Sequence, residues 1–341
     1  MTAIEHRYDF VLLFDVSAGN PNGDPDMENE PRRELGSDRG LVSDVCLKRK
    51  IRNCIELIRE HDGTLSDAIK AGLNIHVVEG AILNAAHNAA LANAGVSLSA
   101  DAAEDDDATE ASPSRKGKGK AKAKAPRVPP EVLTAARAEM CATFYDVRSF
   151  GAVLANKRGG GGSANDKVTG PVQLGFARSI EPIITQRHAI TRCAATEEEV
   201  GKENKTMGGK WTVPYALYRV HGSISASQAA KTGFSMQDAA LLWRSLIEMW
   251  RHDRSASRGE MAPRALVIFE HASKLGNAAP EALFDLVTVA RRQFTGRPAL
   301  SIDDYHVQMP TMDPDGIKVV VKLAPREPVA SSEILAGSRA A

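Results

Sequence analysis

A chain of 341 residues, 43% apolar and 25% charged, has the material for one large domain with insertions or for two domains. Its 43 basic residues balance 43 acidic ones, and zero net charge argues against a generic nucleic-acid coat. No apolar run approaches the ~18 residues of a membrane span and no signal-peptide pattern opens the chain, so a cytoplasmic protein with no membrane partner is expected.

Tyr8 to Val16 reads as a buried strand of aromatic and branched residues. It stops abruptly at AGNPNGDPD, residues 18–26. After a polar stretch to Gly40, LVSDVCLKRKIRNCIELIRE predicts a helix with Ser43 as N-cap and Asp44 in the first turn. Leu47, Ile51, Cys54, Ile55 and Ile58 form its apolar stripe. Lys48, Arg52 and Arg59 flank the stripe on one side and Lys50 on the other, while Arg49 points away. Residues 61–98 and 131–145 carry helical patterns. Between them, residues 99–130 pass from six acids in SADAAEDDDATE to seven bases in RKGKGKAKAKAPR with no apolar period, the composition of a disordered, solvated insertion.

From Arg148 the texture becomes extended. GPVQLGFARSIEPIITQ and VPYALYRVHGSISA read as strands around a polar, glycine-containing stretch, residues 190–212. SMQDAALLWRSLIEMWRHD predicts a helix that starts on a Ser235/Asp238 capping box and buries Ala239, Leu242, Trp243, Leu246 and Trp250. Residues 265–271 predict a strand, 280–292 a helix and 317–323 a closing strand. The order strand, helix, insertion, strand, strand, helix, strand matches an α+β, ferredoxin-like β-α-β-β-α-β core with long excursions.

The four cysteines (Cys46, Cys54, Cys141, Cys193) have no metal-finger spacing and read as reduced, mostly buried thiols. Asp24 and Asp26 resemble the start of a calcium loop, but the sixth place lacks glycine and Leu35 stands where a glutamate is needed, which excludes an EF-hand. A two-carboxylate magnesium site that cuts nucleic acid remains open beside a plain turn, because Asn, Asp, Gly and Pro are also what turns require. RGGGGSANDK (158–167) is not a Walker loop. The histidines show no zinc spacing, and no G-x-S-x-G is present. No cofactor is expected. Charge is nevertheless segregated. Residues 148–192 hold seven basic side chains against two acids, and 32–59 hold eight against four. Lys48, Arg49, Lys50 and Arg52 at the start of a helix suggest an anion site, and with few aromatics any nucleic acid would be held by its backbone.

GNPNGDPD after the first strand, SDVCLKRKIRN on the first helix, and DVRSFGAVLA, GPVQLGFARSIEPI, VPYALYRVHGSIS and HDRSASRGEM farther on together resemble one family. It is the crRNA-binding, RAMP-type backbone subunit of type I CRISPR Cascade complexes, with the I-C subtype nearest. The resemblance covers nearly the whole chain outside the low-complexity insertion. It implies an RRM-like palm with a helical finger insertion and a β-hairpin thumb. By position these are palm at 1–60, finger at 61–145 with its disordered loop at 99–130, palm at 146–187, thumb at 188–212, and palm with a C-terminal extension at 213–341. It further implies copies of the chain stacked along crRNA in a prokaryotic antiviral ribonucleoprotein. The guide is presented to target DNA, and other Cascade subunits and a recruited helicase-nuclease are partners. Asn20, Asn22, Arg32 and Arg33 would belong to a loop beside the RNA, and Ser43, Lys48, Arg49 and Arg52 would meet its phosphates. Arg148, Arg178, His188 and Arg192 would line the same path. The resemblance makes NPNGDPD a turn that grips RNA in a non-catalytic scaffold. A metal-dependent ribonuclease using Asp24 and Asp26 is the alternative.

Overall fold

The structure, a computed structural model, describes residues 2–95, 129–154, 167–191, 207–293, 296–311, 313–314 and 316–324. Its organising element is β1 (Tyr8–Gly19), which is buried on both faces. Side chains alternate along a strand, so Tyr8, Phe10, Leu12, Phe14 and Val16 enter one core and Val11 and Leu13 another. A strand that is apolar on both faces belongs at the centre of a sheet.

After β1 come a short hairpin, β2 (Gly23–Asp24) and β3 (Glu30–Pro31), then β4 (Arg39–Val42) and α1 (Asp44–His61). The helices α2 (Asp67–Ala71), α3 (Leu83–Asn93), α4 (Pro130–Thr143) and α5 (Tyr145–Phe150) follow. Next are β5 (Gly151–Val153), β6 (Lys167–Thr169), β7 (Val172–Leu174), β8 (Ala177–Pro182), β9 (Gln186–Thr191) and β10 (Met207–Ile224). The chain closes with α6 (Ala226–Thr232), α7 (Met236–His252), β11 (Glu260–His271), α8 (Pro280–Phe284), β12 (Thr288–Arg291), β13 (Tyr305–Gln308) and β14 (Ile317–Leu323). The main sheet runs β14-β11-β1-β10-β8-β4 with antiparallel neighbours, so the fold is mixed α/β around an antiparallel sheet.

The helices α1 and α7 cover the face that carries Phe10 and Phe14. Ser43 caps α1, and the Ser235/Asp238 capping box opens α7. Phe14 lies between Tyr218 and Trp250, at ring-centroid distances of 5.4 and 4.7 Å, and Trp243 meets Phe10 edge-on at 5.0 Å. The predicted stripes of both helices are buried. Lys50 is buried as well, and its ammonium pairs with Asp253. Arg49 does not point away from the protein, because its Nη1 donates to Val77 O at 2.7 Å.

On the opposite face, Leu283, Val287, Ala299 and Tyr305 pack over Val11 and Leu13. The helix expected over 280–292 stops at Phe284 and gives way to β12, which pairs with β13. Two causes act together: Arg219 donates to the Phe284 and Val287 carbonyls, and the branched residues of Val287–Thr288–Val289 favour the extended chain. Arg219 Nε also donates to His221 Nε2 at 2.7 Å, and the His221 ring stacks on Phe284 at 4.1 Å. Burial, aided by the Arg219 charge, lowers the His221 pKa from 6.5 to about 4. The unfolded chain therefore binds the extra proton between those values, and stability should fall as pH drops from 6.5 towards about 4. Urea titrations across that window should show part of the slope disappearing in His221→Phe.

Between α1 and β7 the helices α3 and α4 form a small core of their own, with Ala90 and Leu91 against Ala136, Met140 and Cys141. The expected loop at 99–130 lies almost wholly outside the described residues, as do most of the glycine run, Cys193 and residues 192–206 of the expected thumb. The remaining cysteines are free thiols, buried at Cys54 and Cys141 and half-buried at Cys46. Among the described residues no helix is long and apolar enough to cross a membrane.

Candidate nucleic-acid interface

The stretch that ends β1 is tied down atom by atom. Asn22 Oδ1 accepts from both Ser43 N and Ser43 Oγ, at 2.9 and 3.0 Å, and Ser43 Oγ in turn accepts from Cys46 N at 3.3 Å. One asparagine thus clamps the loop to the N-terminus of α1. A Cβ on Gly23 would sit 1.9 Å from Asn29 Oδ1, so only glycine allows the turn to close. Asp24 Oδ1 accepts from Asp26 N at 3.2 Å, and its Oδ2 pairs with Arg32 Nη1 at 3.1 Å. Glu28 and Asn29 complete the turn in left-handed conformations, with φ of 51° and 63°. Asn22→Ala should destabilise the chain by about 1–2 kcal/mol, read as a shift of the denaturation midpoint at unchanged slope.

The expected contact residues divide into committed and accessible groups. Arg148 is buried, and all three guanidinium nitrogens donate to protein. Nε and Nη2 grip Asp238 at 3.1 and 2.7 Å, Nη1 reaches Cys141 O at 2.7 Å, and Nη2 also reaches Gly72 O at 3.1 Å. In this arrangement it faces the protein interior. Arg52 Nε bonds Asp146 at 2.8 Å, and Asp146 also accepts from His76 N and Val77 N. Lys48 pairs with Asp44 at 2.9 Å beside the Phe150 ring. Arg33 pairs with Glu30 and Asp38, and Arg178, 61% exposed, pairs with Glu34 at 2.9 Å. His188 hydrogen-bonds Thr212 across the β9–β10 ladder at 2.8 Å. Arg192 lies outside the described residues.

Charge in the loop runs against simple attraction. Residues 20–42 carry three arginines (Arg32, Arg33, Arg39) against six carboxylates (Asp24, Asp26, Glu28, Glu30, Glu34, Asp38). Each of Arg32, Arg33, Arg178 and Arg187 already meets one of these carboxylates. The Arg187–Glu28 pair spans 3.1 Å with side chains 57% and 75% exposed. Exposed pairs of this kind contribute about 0–1 kcal/mol, so a phosphate can take the place of the carboxylate at small cost.

Two groups outside the expected contact residues complete the site. β10 runs without a break from the β9 pairing into the centre of the sheet, so the β9–β10 ladder is carried by the core. Its Lys210 ammonium donates to Ala256 O, in the loop that joins α7 to β11. Ser257 O in the same loop accepts from Asn20 N at 2.6 Å. That loop is held from behind by Asp253, which meets both Lys50 and Arg258. Between loop 20–29, the β9–β10 ladder and loop 255–257 lies a cleft of about 410 Å³ whose polar lining includes Asn20, Asn29, Lys210, Trp211 and Ser257, and also Glu28, whose carboxylate is paired with Arg187. A cation, hydroxyls, amides and an indole suit an extended polyanion with polar substituents. Nearby, burial pushes the Cys46 thiol pKa up against the opposing pull of Lys50 and Arg258, which keeps that sulfur protonated. Among the described residues, no three His, Cys, Asp or Glu side chains are grouped to hold a metal ion. The sequence did place HDRSASRGEM in a shared pattern, but charge and hydropathy alone did not bring it beside Asn20.

The family model described as CRISPR-associated protein Cas7 matches residues 6–310. A CRISPR-associated protein Cas7 of Haloferax volcanii is 35% identical over 51 residues, a stretch that spans 15% of this chain and 15% of that relative. Two solved chains also align. One, from a CRISPR RNA-guided surveillance complex in a pre-nicking state, has 15% identity and a TM-score of 0.42 over 77% of this chain and 78% of its own. The other, from a CRISPR RNA-guided surveillance complex, has 14% identity and a TM-score of 0.39 over 77% and 68%.

Proposed function

The chain belongs to the CRISPR-associated protein Cas7 family, and on that premise we propose that it is the crRNA-binding backbone subunit of a type I surveillance complex, of I-C type. The observation that carries this reading is the convergence of two loops and the β9–β10 ladder around one cleft, with the exposed Arg187 and Arg178 nearby balanced by the exposed Glu28 and the half-buried Glu34. Such a surface is quiet towards loose polyanions yet can exchange each weak pair for a phosphate. Copies of the chain polymerise along the guide and leave its bases free to pair with target DNA. Other Cascade subunits and a recruited helicase-nuclease complete the cytoplasmic machinery. The neutral total favours head-to-tail packing of identical chains, which a strongly one-signed protein would oppose.

In this reading β1, α1, β8, β10, α7 and β11 are a ferredoxin-like, RRM-like palm. The order β11-β1-β10-β8 supports it, being the fourth, first, third and second strands of a β-α-β-β-α-β unit. The α3–α4 unit is the finger, and the β9–β10 ladder is the stem of the thumb. Among the contact residues, Arg33, Arg178, Arg187, His188 and Lys210 meet the strand. Asn22, Ser43, Arg52 and Arg148 shape the protein around it.

The loop at Asp24 and Asp26 grips and does not cut. In support, Asp24 is occupied on both oxygens, by a backbone amide and by Arg32. The test offers the purified full chain unrelated RNAs of equal length, with and without Mg²⁺. Comparable affinities and intact RNA are expected. Magnesium-dependent cutting that Asp24→Ala or Asp26→Ala abolishes would replace this reading with a ribonuclease.

A further inference from the structure

Asn20 is 4% exposed, and both of its nitrogens donate to protein carbonyls. Its backbone N–H donates to Ser257 O, and its carboxamide Nδ2 donates to Asn29 O at 2.7 Å. The second of these bonds fixes the amide orientation, because turning it over would set an oxygen against the Asn29 carbonyl. Its Oδ1 is then an acceptor without a hydrogen-bond donor among the described residues. In the lining of the same cleft, Trp211 Nε1 is a donor without an acceptor among the described residues. Buried polar atoms are satisfied in nearly all folded proteins, and those that are not call for a ligand, a water or a functional reason.

We propose that this cleft reads the ribose of the guide, with Asn20 Oδ1 accepting a hydrogen bond from a 2′-hydroxyl. The inference rests on the guide-binding reading and adds to it the basis on which RNA is told from DNA. Phosphate oxygens only accept, so a phosphate can serve Lys210 but never Asn20 Oδ1. The donors a nucleic-acid strand offers are base N–H groups and the 2′-hydroxyl. Base donors change with every letter, whereas a scaffold for arbitrary guides needs a donor present on each nucleotide. The 2′-hydroxyl is that group, and it both donates and accepts. Asn20 and Trp211 both line the cleft, and among the described residues the first has an unmatched acceptor and the second an unmatched donor. At about 410 Å³ the space lies in the range of small-ligand sites.

The test needs no variant at first. The purified full chain is titrated with one oligonucleotide sequence as RNA, as 2′-fluoro RNA and as DNA. The fluoro sugar keeps the ribose pucker, lacks the donor and is only a weak acceptor. RNA should bind about five- to tenfold more tightly than the 2′-fluoro strand, the value of one lost hydrogen bond. In Asn20→Ala that ratio should shrink, and it is read as a ratio so that the loss of the Asn29 contact, which weakens both strands alike, cancels. Equal binding of RNA and 2′-fluoro RNA by the parent chain overturns the inference while leaving the guide reading in place. So does an undiminished ratio in a folded Asn20→Ala. A ratio that follows base composition instead of the sugar assigns the donor to a base and overturns it too. Failure of intact chain to bind RNA at all would instead remove the reading on which it rests.

Discussion

Arg148→Ala is expected to destabilise the folded chain by about 3–5 kcal/mol, the typical result of removing one partner from a buried ion pair. The guanidinium and the Asp238 carboxylate are 7% and 4% exposed, with Nη2–Oδ1 at 2.7 Å. Removing the cation leaves a buried carboxylate whose remaining partners are the Ser235 amide and hydroxyl. It also releases the Cys141 carbonyl near the end of α4 and the Gly72 carbonyl behind α2. Arg148 therefore ties the inserted helices to the start of α7. Denaturant titration of Arg148→Ala and of Arg148→Ala/Asp238→Ala should show the double variant destabilised by less than the sum of the singles. If Arg148→Ala kept full stability and lost RNA binding alone, the side chain would belong to the interface.

The second large effect concerns the strand-binding surface. Arg187→Ala/Lys210→Ala should weaken RNA binding by roughly 100-fold at low salt, two charged hydrogen bonds' worth, and about equally for every sequence. Each lost phosphate contact also lowers the slope of log affinity against log salt by about 0.7 for a single strand, or about 1.4 for the pair. Neither side chain is buried, and Arg187 is 57% exposed, so thermal stability should hardly move. The contrast with Arg148 is the point: one substitution acts through the fold, the other through the ligand. An unchanged slope in the double variant would place the phosphate path elsewhere.

The regular parts of this protein were legible because their periodicity is strong. Tyr8–Val16 alternates between two cores, and the apolar stripes of α1 and α7 recur at helical spacing with Ser43 and Ser235 at their caps. The helix expected at 280–292 was not. Its fate depends on Arg219, some seventy residues earlier, which takes the carbonyls a longer helix would have used. Charge was legible as a count but not as a state. Arg148, Arg52 and Arg178 look alike as basic residues, yet Arg148 is buried against Asp238, Arg52 is partly buried against Asp146 and Arg178 faces solvent. Ion pairing between distant segments, such as Arg187 with Glu28, likewise leaves no local trace. The turn at Asn20–Asp26 was readable as a turn from its Asn, Gly and Pro content. Which asparagine clamps α1 and which one retains an unmatched acceptor became visible only when Ser43, Asn29 and Ser257 were brought beside them.

The central claim, that this Cas7-family chain is a guide-bound scaffold, is tested most directly by the nucleic acid it carries. Protein freshly isolated from its native host is extracted and the extract run on a denaturing gel after RNase or DNase treatment. A narrow band that RNase removes and DNase spares is the predicted result. Intact, assembly-competent protein that yields no RNA would contradict the account and return the Asp24 and Asp26 loop to first consideration.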